Sequence, residues 1–386
     1  MQNEITNFDK NKELEIPVYN RFDHTDFNEL EIEWRYENKR GTMRGTNLPP
    51  HQKGSFKIPA QSWETGKTLS VRFIKNREII DEYELPLGIF KKPLPVSLPP
   101  QNAKNSPLKI KDSASGFVIE GDNFSVAFSN QTGLIESAKI KDKTVIEGGP
   151  FLNLRTKGKD LTIIDHDKNW KLEKLSKAVV GETAEVLISG RYDSLNTDYK
   201  MTFSPNGKIN VQYNLRGAND LQVQELGVKF LLPDMFDEVA WSRKSYWTNY
   251  PNLHLGMPVG KTKIYNPASQ QTYRRQPQQD WILDTKSFYY WGLKGTPNQK
   301  PLTNFAKAMK ENIWAYALIS PTQKYQINVS ADADAACRIG KTPDEKLFLY
   351  INNEWDYVHI DWGNYLKNIK LKNDYKNQIS FGISAF

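Results

Sequence analysis

Tyr199-Lys200-Met201-Thr202-Phe203, the turn Pro205-Asn206-Gly207, and Lys208 to Leu215 (KINVQYNL) form the stretch on which the fold turns. In the second run Ile209, Val211, Tyr213 and Leu215 face one way, while Asn210, Gln212 and Asn214 face the other. A period of two is the mark of a half-buried strand, whereas a helix would repeat near 3.6. Asn-Gly tolerates the positive φ that a tight turn needs, so the stretch predicts an antiparallel hairpin.

The same period recurs on either side. Leu30, Ile32 and Trp34 alternate with Glu31, Glu33 and Arg35, and Thr68–Ile74 and Ile79–Leu85 are further strand candidates between Leu14 and Leu87. A run of about 75 to 90 residues of this kind suits one immunoglobulin-like β-sandwich, placed at residues 1–90. Residues 91–107, KKPLPVSLPPQNAKNSP, carry prolines at 93, 95, 99, 100 and 107. Proline fixes φ and donates nothing to a ladder, so this stretch predicts an extended linker and a domain boundary. Strand signals resume at Phe117–Glu120 and Phe124–Phe128. Residues 108–386 predict a large two-sheet sandwich. One short helix is predicted over Asn304–Asn312, with Thr303 or Asn304 as cap.

Composition agrees with a folded, strand-rich chain. Of 386 residues 12% are aromatic, with ten Trp, 18 Tyr and 18 Phe, which argues against disorder. The net charge of +7 is spread along the chain and is no nucleic-acid signature. No run approaches the roughly 20 apolar residues of a membrane helix. Met1 to Lys12 is polar and predicts no signal peptide. The compartment is open: periplasmic or extracellular if a parent enzyme carries a signal, otherwise cytoplasmic. The single cysteine, Cys337, excludes an intrachain disulfide and predicts a small buried side chain.

Several stretches carry a family resemblance. Val18-Tyr19-Asn20-Arg21-Phe22-Asp23, with Asn28-Glu29-Leu30 and Trp34, resembles the opening of the immunoglobulin-like domain that follows the barrel in β-galactosidase-like enzymes of glycoside hydrolase family 2. Phe128-Ser129-Asn130-Gln131-Thr132-Gly133-Leu134-Ile135 resembles the early hairpin of that family's last domain. Val239-Ala240-Trp241, with Asn249-Tyr250-Pro251 nine residues on, matches a spacing of the same domain. Trp362, ahead of the strand Gln378–Ile383, sits where the family places a tryptophan over the sugar subsite. The resemblance implies an all-β chain, an immunoglobulin-like sandwich followed by a galactose mutarotase-like β-supersandwich. It also implies that the family's two catalytic glutamates, which stand on a TIM barrel, have no counterpart here, since no alternating strand–helix pattern exists. Pro150 to Gly158 replaces an acidic Arg-Ala-Pro-x-Asp-Asn-Asp stretch of the family, which puts β-galactosidase specificity itself in question.

Candidate chemistry lies in two places. Trp241 to Gln279 holds no Asp or Glu, but has Arg243, Lys244, Lys261, Lys263, Arg274 and Arg275 among Trp241, Tyr246, Trp247, Tyr250, Tyr265 and Tyr273. Sugar C–H faces stack on rings while polar groups read hydroxyls, so this predicts a sugar-facing loop. A surface excursion whose rings cover the sheet is the competing reading. In EWDYVHIDWG, Trp355 and Trp362 flank Asp356, His359 and Asp361, either as an aromatic wall or as a sheet-edge loop. The sugar-binding candidates are thus Trp362, Trp247, Tyr250, Arg243 and Trp355. A mutarotase-like His–carboxylate pair would have to use His254 or His359. Asp332 and Asp334, and Asp165-His166-Asp167, read as solvated turns rather than a calcium loop. No catalytic residue, metal or cofactor is assigned.

The expected partners are a glycan substrate and a catalytic barrel on the same or a neighbouring chain; nucleic acid and membrane are not expected, and a homo-oligomer stays open. Three functions compete: a non-catalytic carboxy-terminal region of a family 2 enzyme, a free-standing carbohydrate-binding module, and a mutarotase- or lyase-like enzyme on acidic glycans.

Overall fold

The structure is a computed structural model that describes residues 5, 7–88, 106–158, 163–244, 257–264, 309–342, 344, 346–356 and 369–386. Among these the chain is all-β, and two compact units separate, one within residues 5–88 and one within 106–386.

The first unit has β1 (Leu14–Tyr19), β2 (Glu31–Tyr36), β3 (Lys39–Arg44), β4 (Lys53–Ile58), β5 (Thr68–Lys75) and β6 (Glu78–Pro86). They form an antiparallel pair, β1-β4, and an antiparallel sheet ordered β3-β2-β5-β6. The predicted alternation holds: Ile32 and Trp34 point into a core shared with Phe56, Ile58, Val71 and Phe73. Phe27, in a one-turn 3-10 segment, touches both Phe56 and Phe73, with ring centroids 6.1 and 5.5 Å apart. Asp26 caps that turn, accepting from the Asn28 amide at 3.0 Å and from the Leu48 amide at 3.1 Å.

The second unit opens with β7 (Lys109–Asp112), β8 (Gly116–Glu120), β9 (Phe124–Ser129), β10 (Ile135–Ile140), β11 (Lys143–Ile146), β12 (Gly148–Lys157) and β13 (Ile163–Asp165). A long meander follows: β14 (Trp170–Val180), β15 (Thr183–Tyr192), β16 (Leu195–Phe203) and β17 (Lys208–Arg216). Then come β18 (Val223–Leu232), β19 (Glu238–Arg243), β20 (Val259–Lys263), β21 (Ile313–Ser320), β22 (Tyr325–Ser330), β23 (Ala336–Lys341), β24 (Leu347–Trp355) and β25 (Asp374–Ala385). Ten strands make one sheet, ordered β23-β24-β18-β12-β10-β9-β8-β7, with β11 on β10 and β13 on β12. Nine make the other, ordered β14-β15-β16-β17-β25-β22-β21-β19-β20.

The hairpin read from sequence is β16–β17, with Gly207 at φ 82° in its turn. Ile209, Val211, Tyr213 and Leu215 all enter the core, which they share with Leu152, Leu154, Val228 and Leu349 of the other sheet. Phe230 and Phe381 touch across the interface with centroids 4.8 Å apart. Two polar ties cross it as well: the Tyr213 hydroxyl donates to Asn353 Oδ1 at 2.8 Å, and the Leu152 amide donates to the Tyr192 hydroxyl at 3.1 Å. The early hairpin β9–β10 turns through Gly133 at φ 71°, a backbone region open to glycine.

One expectation is corrected. The predicted helix over Asn304–Asn312 is not helical in its described part, residues 309–312. Lys310 exchanges backbone hydrogen bonds with Cys337 at 2.9 and 2.8 Å, and Asn312 turns the chain at φ 54° into β21. A strand partner supplies the hydrogen bonds that a helical turn would have supplied, so propensity loses. The proline-rich linker lies mostly outside the described residues.

Phe230→Ala should lower the stability of the second unit by about 3–5 kcal/mol through lost burial and a residual cavity. Leu187→Ala, at a position 46% exposed, should change it by less than about 0.5 kcal/mol. Urea midpoints of the two variants check the assignment of inner and outer faces.

Candidate functional site

Strands β12, β18 and β24 are covered on both faces. One face is the apolar core. The other carries polar side chains in register, and it forms the candidate site.

Antiparallel pairing sets three rows across this face. Phe151, Lys229, Tyr350 and Arg338 make the first; Asn153, Gly227, Asn352 and Ala336 the second; Arg155, Glu225 and Trp355 the third. The middle row is small at Gly227 and Ala336. Arg338 reaches over it and grips Glu225 with two bonds, Nε to Oε1 and Nη2 to Oε2, each 2.6 Å. A Cβ on residue 227 would lie 2.0 Å from the Ile351 carbonyl oxygen, so the backbone at this bulge requires glycine.

The rest of the cluster completes the carboxylate. Asn153 Nδ2 donates to Glu225 Oε2 at 3.0 Å and to Asn352 Oδ1 at 2.7 Å. Arg155 stands 3.9 Å from Glu225 and pairs with Asp165 at 2.8 Å. The Arg338 guanidinium lies 3.4 Å above the Tyr350 ring, a cation–π stack. Glu225 is fully buried and Arg338 nearly so. Burial pushes the Glu225 carboxyl up, but Arg338, with Arg155 and Asn153, more than reverses this and holds it below the usual carboxylate range.

A fringe surrounds this locked centre. Lys157 bonds Asp356 at 2.5 Å, and Lys229 pairs with Asp167. Lys229 also lies 5.0 Å from the Phe348 ring centroid, and Phe348 meets Phe151 edge-on at 6.4 Å. Phe151, Phe348, Tyr350, Arg155 and Lys229 are partly exposed, so the cluster offers ring faces beside cations. His166 bonds Thr156 at 2.8 Å, and burial lowers its imidazole below the ordinary value against the pull of Asp165 and Asp167.

Of the residues predicted from sequence, Trp355 enters the third row, paired opposite Glu225 and only 6% exposed. Arg243 ends β19 on the other sheet, buried, beside Trp241, whose indole donates to the Met257 carbonyl at 2.9 Å. Trp247, Tyr250 and Trp362, like His254 and His359, lie outside the described residues. Sequence reasoning missed Glu225, Arg338, Asn153 and Asn352. Their only local signal is a polar residue alternating with core residues, which is also the pattern of any solvated strand face. No group of three metal-ligating side chains occurs among the described residues.

Residues 120–278, less than half of the chain, match the family model described as beta galactosidase small chain. No curated protein matches. Among solved structures, a galactose mutarotase-like protein from Lactobacillus casei is 10% identical, with a TM-score of 0.39 over 72% of this chain and 100% of that one. An alpha-mannosidase from Enterococcus faecalis is 9% identical, with a TM-score of 0.40 over 97% of this chain and 42% of its own. A glycoside hydrolase family 97 enzyme from a Pseudoalteromonas species is 12% identical, with a TM-score of 0.34 over 72% and 34%.

Arg338→Met should cost about 3–5 kcal/mol at neutral pH, because it strands a buried carboxylate. With its pKa depressed, Glu225 contributes stability above the unfolded carboxyl pKa, and that contribution disappears as pH falls through the lower folded value. The cost of Arg338→Met should therefore shrink in acid, where Glu225 of the variant protonates. Adding Glu225→Gln should restore part of the loss at neutral pH. Urea titrations at neutral and acid pH check both signs.

Proposed function

We propose that this chain is the non-catalytic carboxy-terminal region of a β-galactosidase-like, family 2 glycoside hydrolase. In this reading residues 1–90 and 108–386 are the two sandwiches, joined at 91–107. They buttress a catalytic barrel on the same or a neighbouring chain and lend ring faces to its sugar subsite. The family-model match over residues 120–278 supports the family.

The observation that carries the non-catalytic part is the state of Glu225. A general acid or base works best with a pKa near the operating pH and with a free oxygen facing the substrate. Glu225 has the opposite properties: it is fully buried, held ionised, and bonded through both oxygens to Arg338. Such a carboxylate fixes geometry and transfers no proton. The fringe of Phe151, Phe348 and Tyr350 beside Lys229 suits C–H stacking and hydroxyl recognition. Trp247, Tyr250 and Trp362 are assigned to the same recognition role from the sequence resemblance.

The pure chain should hydrolyse no nitrophenyl glycoside and should not accelerate mutarotation of galactose or glucose in a polarimeter. Turnover that survives further purification would overturn the reading. Phe348→Ala and Lys229→Ala should each weaken retention on immobilised galacto-oligosaccharide while keeping a single cooperative urea transition, the second with some loss of stability because Asp167 loses its partner.

A further inference from the structure

The outward face of the nine-stranded sheet carries a second, unrelated set of side chains. Pairing aligns Glu185, Thr202, Asn210 and Ser380 in one row, then Leu187, Lys200, Gln212 and Gln378, then Ser189, Asp198, Asn214 and Lys376. A depression of about 490 Å³ opens over the last two rows. That is within the roughly 300–1,000 Å³ of small-ligand sites.

Its charges are largely spent on one another. Arg216 holds Asp198 at 2.6 Å, and Glu185 holds Lys200 at 2.8 Å. The exposed carboxamides of Gln212 and Gln378 face the depression beside Lys376, and Asn214 lines it with Nδ2 3.5 Å from Asp198 Oδ2 and its own Oδ1 buried. A carboxamide carries both donors and acceptors and stays neutral at every pH, so a pair of vicinal hydroxyls complements it. Leu187, 46% exposed, adds an apolar wall for sugar C–H groups. The two aromatic residues that line the depression, Tyr199 and Tyr213, have their side chains buried in the core. The face therefore lacks the aromatic anchors typical of a protein-binding hot spot. Lys200 is paired and Lys376 is the one further cation among the residues that line it, so it also lacks the cationic stripe that a polyanion would need.

We infer that the outward face of β15, β16, β17 and β25 is a second binding site, for a neutral oligosaccharide lying across the strands and read by carboxamides. Four hydrogen-bonded strands fix where these amides emerge, while the exposed Gln212 and Gln378 side chains are ordered only on binding. With hydrogen bonds in place of ring stacking, each sugar unit is held weakly, and a chain of several units is the fitting ligand. The inference stands on this face alone and does not depend on the family 2 reading.

The test is calorimetric titration of the full chain with neutral gluco-, galacto- and manno-tetrasaccharides. At least one should bind. Gln212→Ala/Asn214→Ala and, separately, Gln378→Ala should weaken that binding, the double variant roughly tenfold. Lys229→Ala, on the other sheet, should leave this site unchanged, so failure here and failure of the proposed function are read from different variants. Absence of binding by all three probes, or full affinity in the double variant, overturns the inference. So does a sedimentation result in which the chain self-associates and the double variant is monomeric, since the face would then be a protein interface.

Discussion

The pairing of Glu225 with Arg338 is the contact on which the second face of the ten-stranded sheet depends. Taking two ions out of water costs several kcal/mol for each, and the loss is recovered only with good geometry and further hydrogen bonds. Both conditions are met: two charge-assisted bonds of 2.6 Å, an amide from Asn153, and an aromatic ring under the guanidinium. Every neighbour follows from that requirement. Residue 227 must be glycine because a Cβ there would strike the Ile351 carbonyl, and with Ala336 it keeps the middle row low where Arg338 crosses. Asn153 must offer a donor to each of two acceptors. Tyr350 must lie flat beneath the guanidinium. A hydrophobic pair of similar volume would hold a sheet as well or better, so the pair contributes position more than stability.

Position is worth specifying only if the frame beneath it does not shift. The two sheets are tied at both ends of the sandwich. At one, the Leu108 amide donates to the Glu182 carbonyl at 3.3 Å and Lys177 of β14 pairs with Asp112 of β7. At the other, the Ile313 amide donates to the Ala335 carbonyl at 3.0 Å, beside the Lys310–Cys337 bridge. Between them the Tyr213–Asn353 bond crosses the core. Asn353 is the extra residue at the bulge where β24 passes β18, next to Gly227 and Asn352. The same irregularity thus sets the middle row on one face and anchors the opposite sheet on the other.

Much of the frame was legible in the sequence because period-two alternation is local. Ile209 to Leu215 announces a buried face, Asn206-Gly207 a hairpin turn, and Leu30 to Trp34 a half-buried strand, all as found. The candidate site was not legible, for a physical reason. Leu152-Asn153-Leu154-Arg155 reads as a strand with Asn153 and Arg155 facing water, and periodicity carries no sign that this face is covered too. The partners are also far apart: Arg338 lies 113 residues from Glu225, and they meet only through the register of β23 on β24 and of β24 on β18. Residues 309–312 failed differently, since a helical pattern is weak against a strand partner such as Cys337.

The outward faces of the two sheets each hold a carboxylate ionised beside an arginine. On the ten-stranded sheet Glu225 meets a burial penalty that Arg338, Arg155 and Asn153 more than reverse, while burial pushes His166 below its ordinary value. On the nine-stranded sheet, Asp198 meets a burial penalty that Arg216, Ser189 and Asn214 more than reverse, and the amides around it do not titrate. The tyrosines between the sheets, Tyr199 and Tyr213, are lifted well above their usual range by burial. Glu225, Asp198 and the two tyrosines are thus each held away from a pKa near neutral pH. Fixed donors, fixed acceptors and ring faces are what these two faces present, and on them the proposed sugar recognition rests.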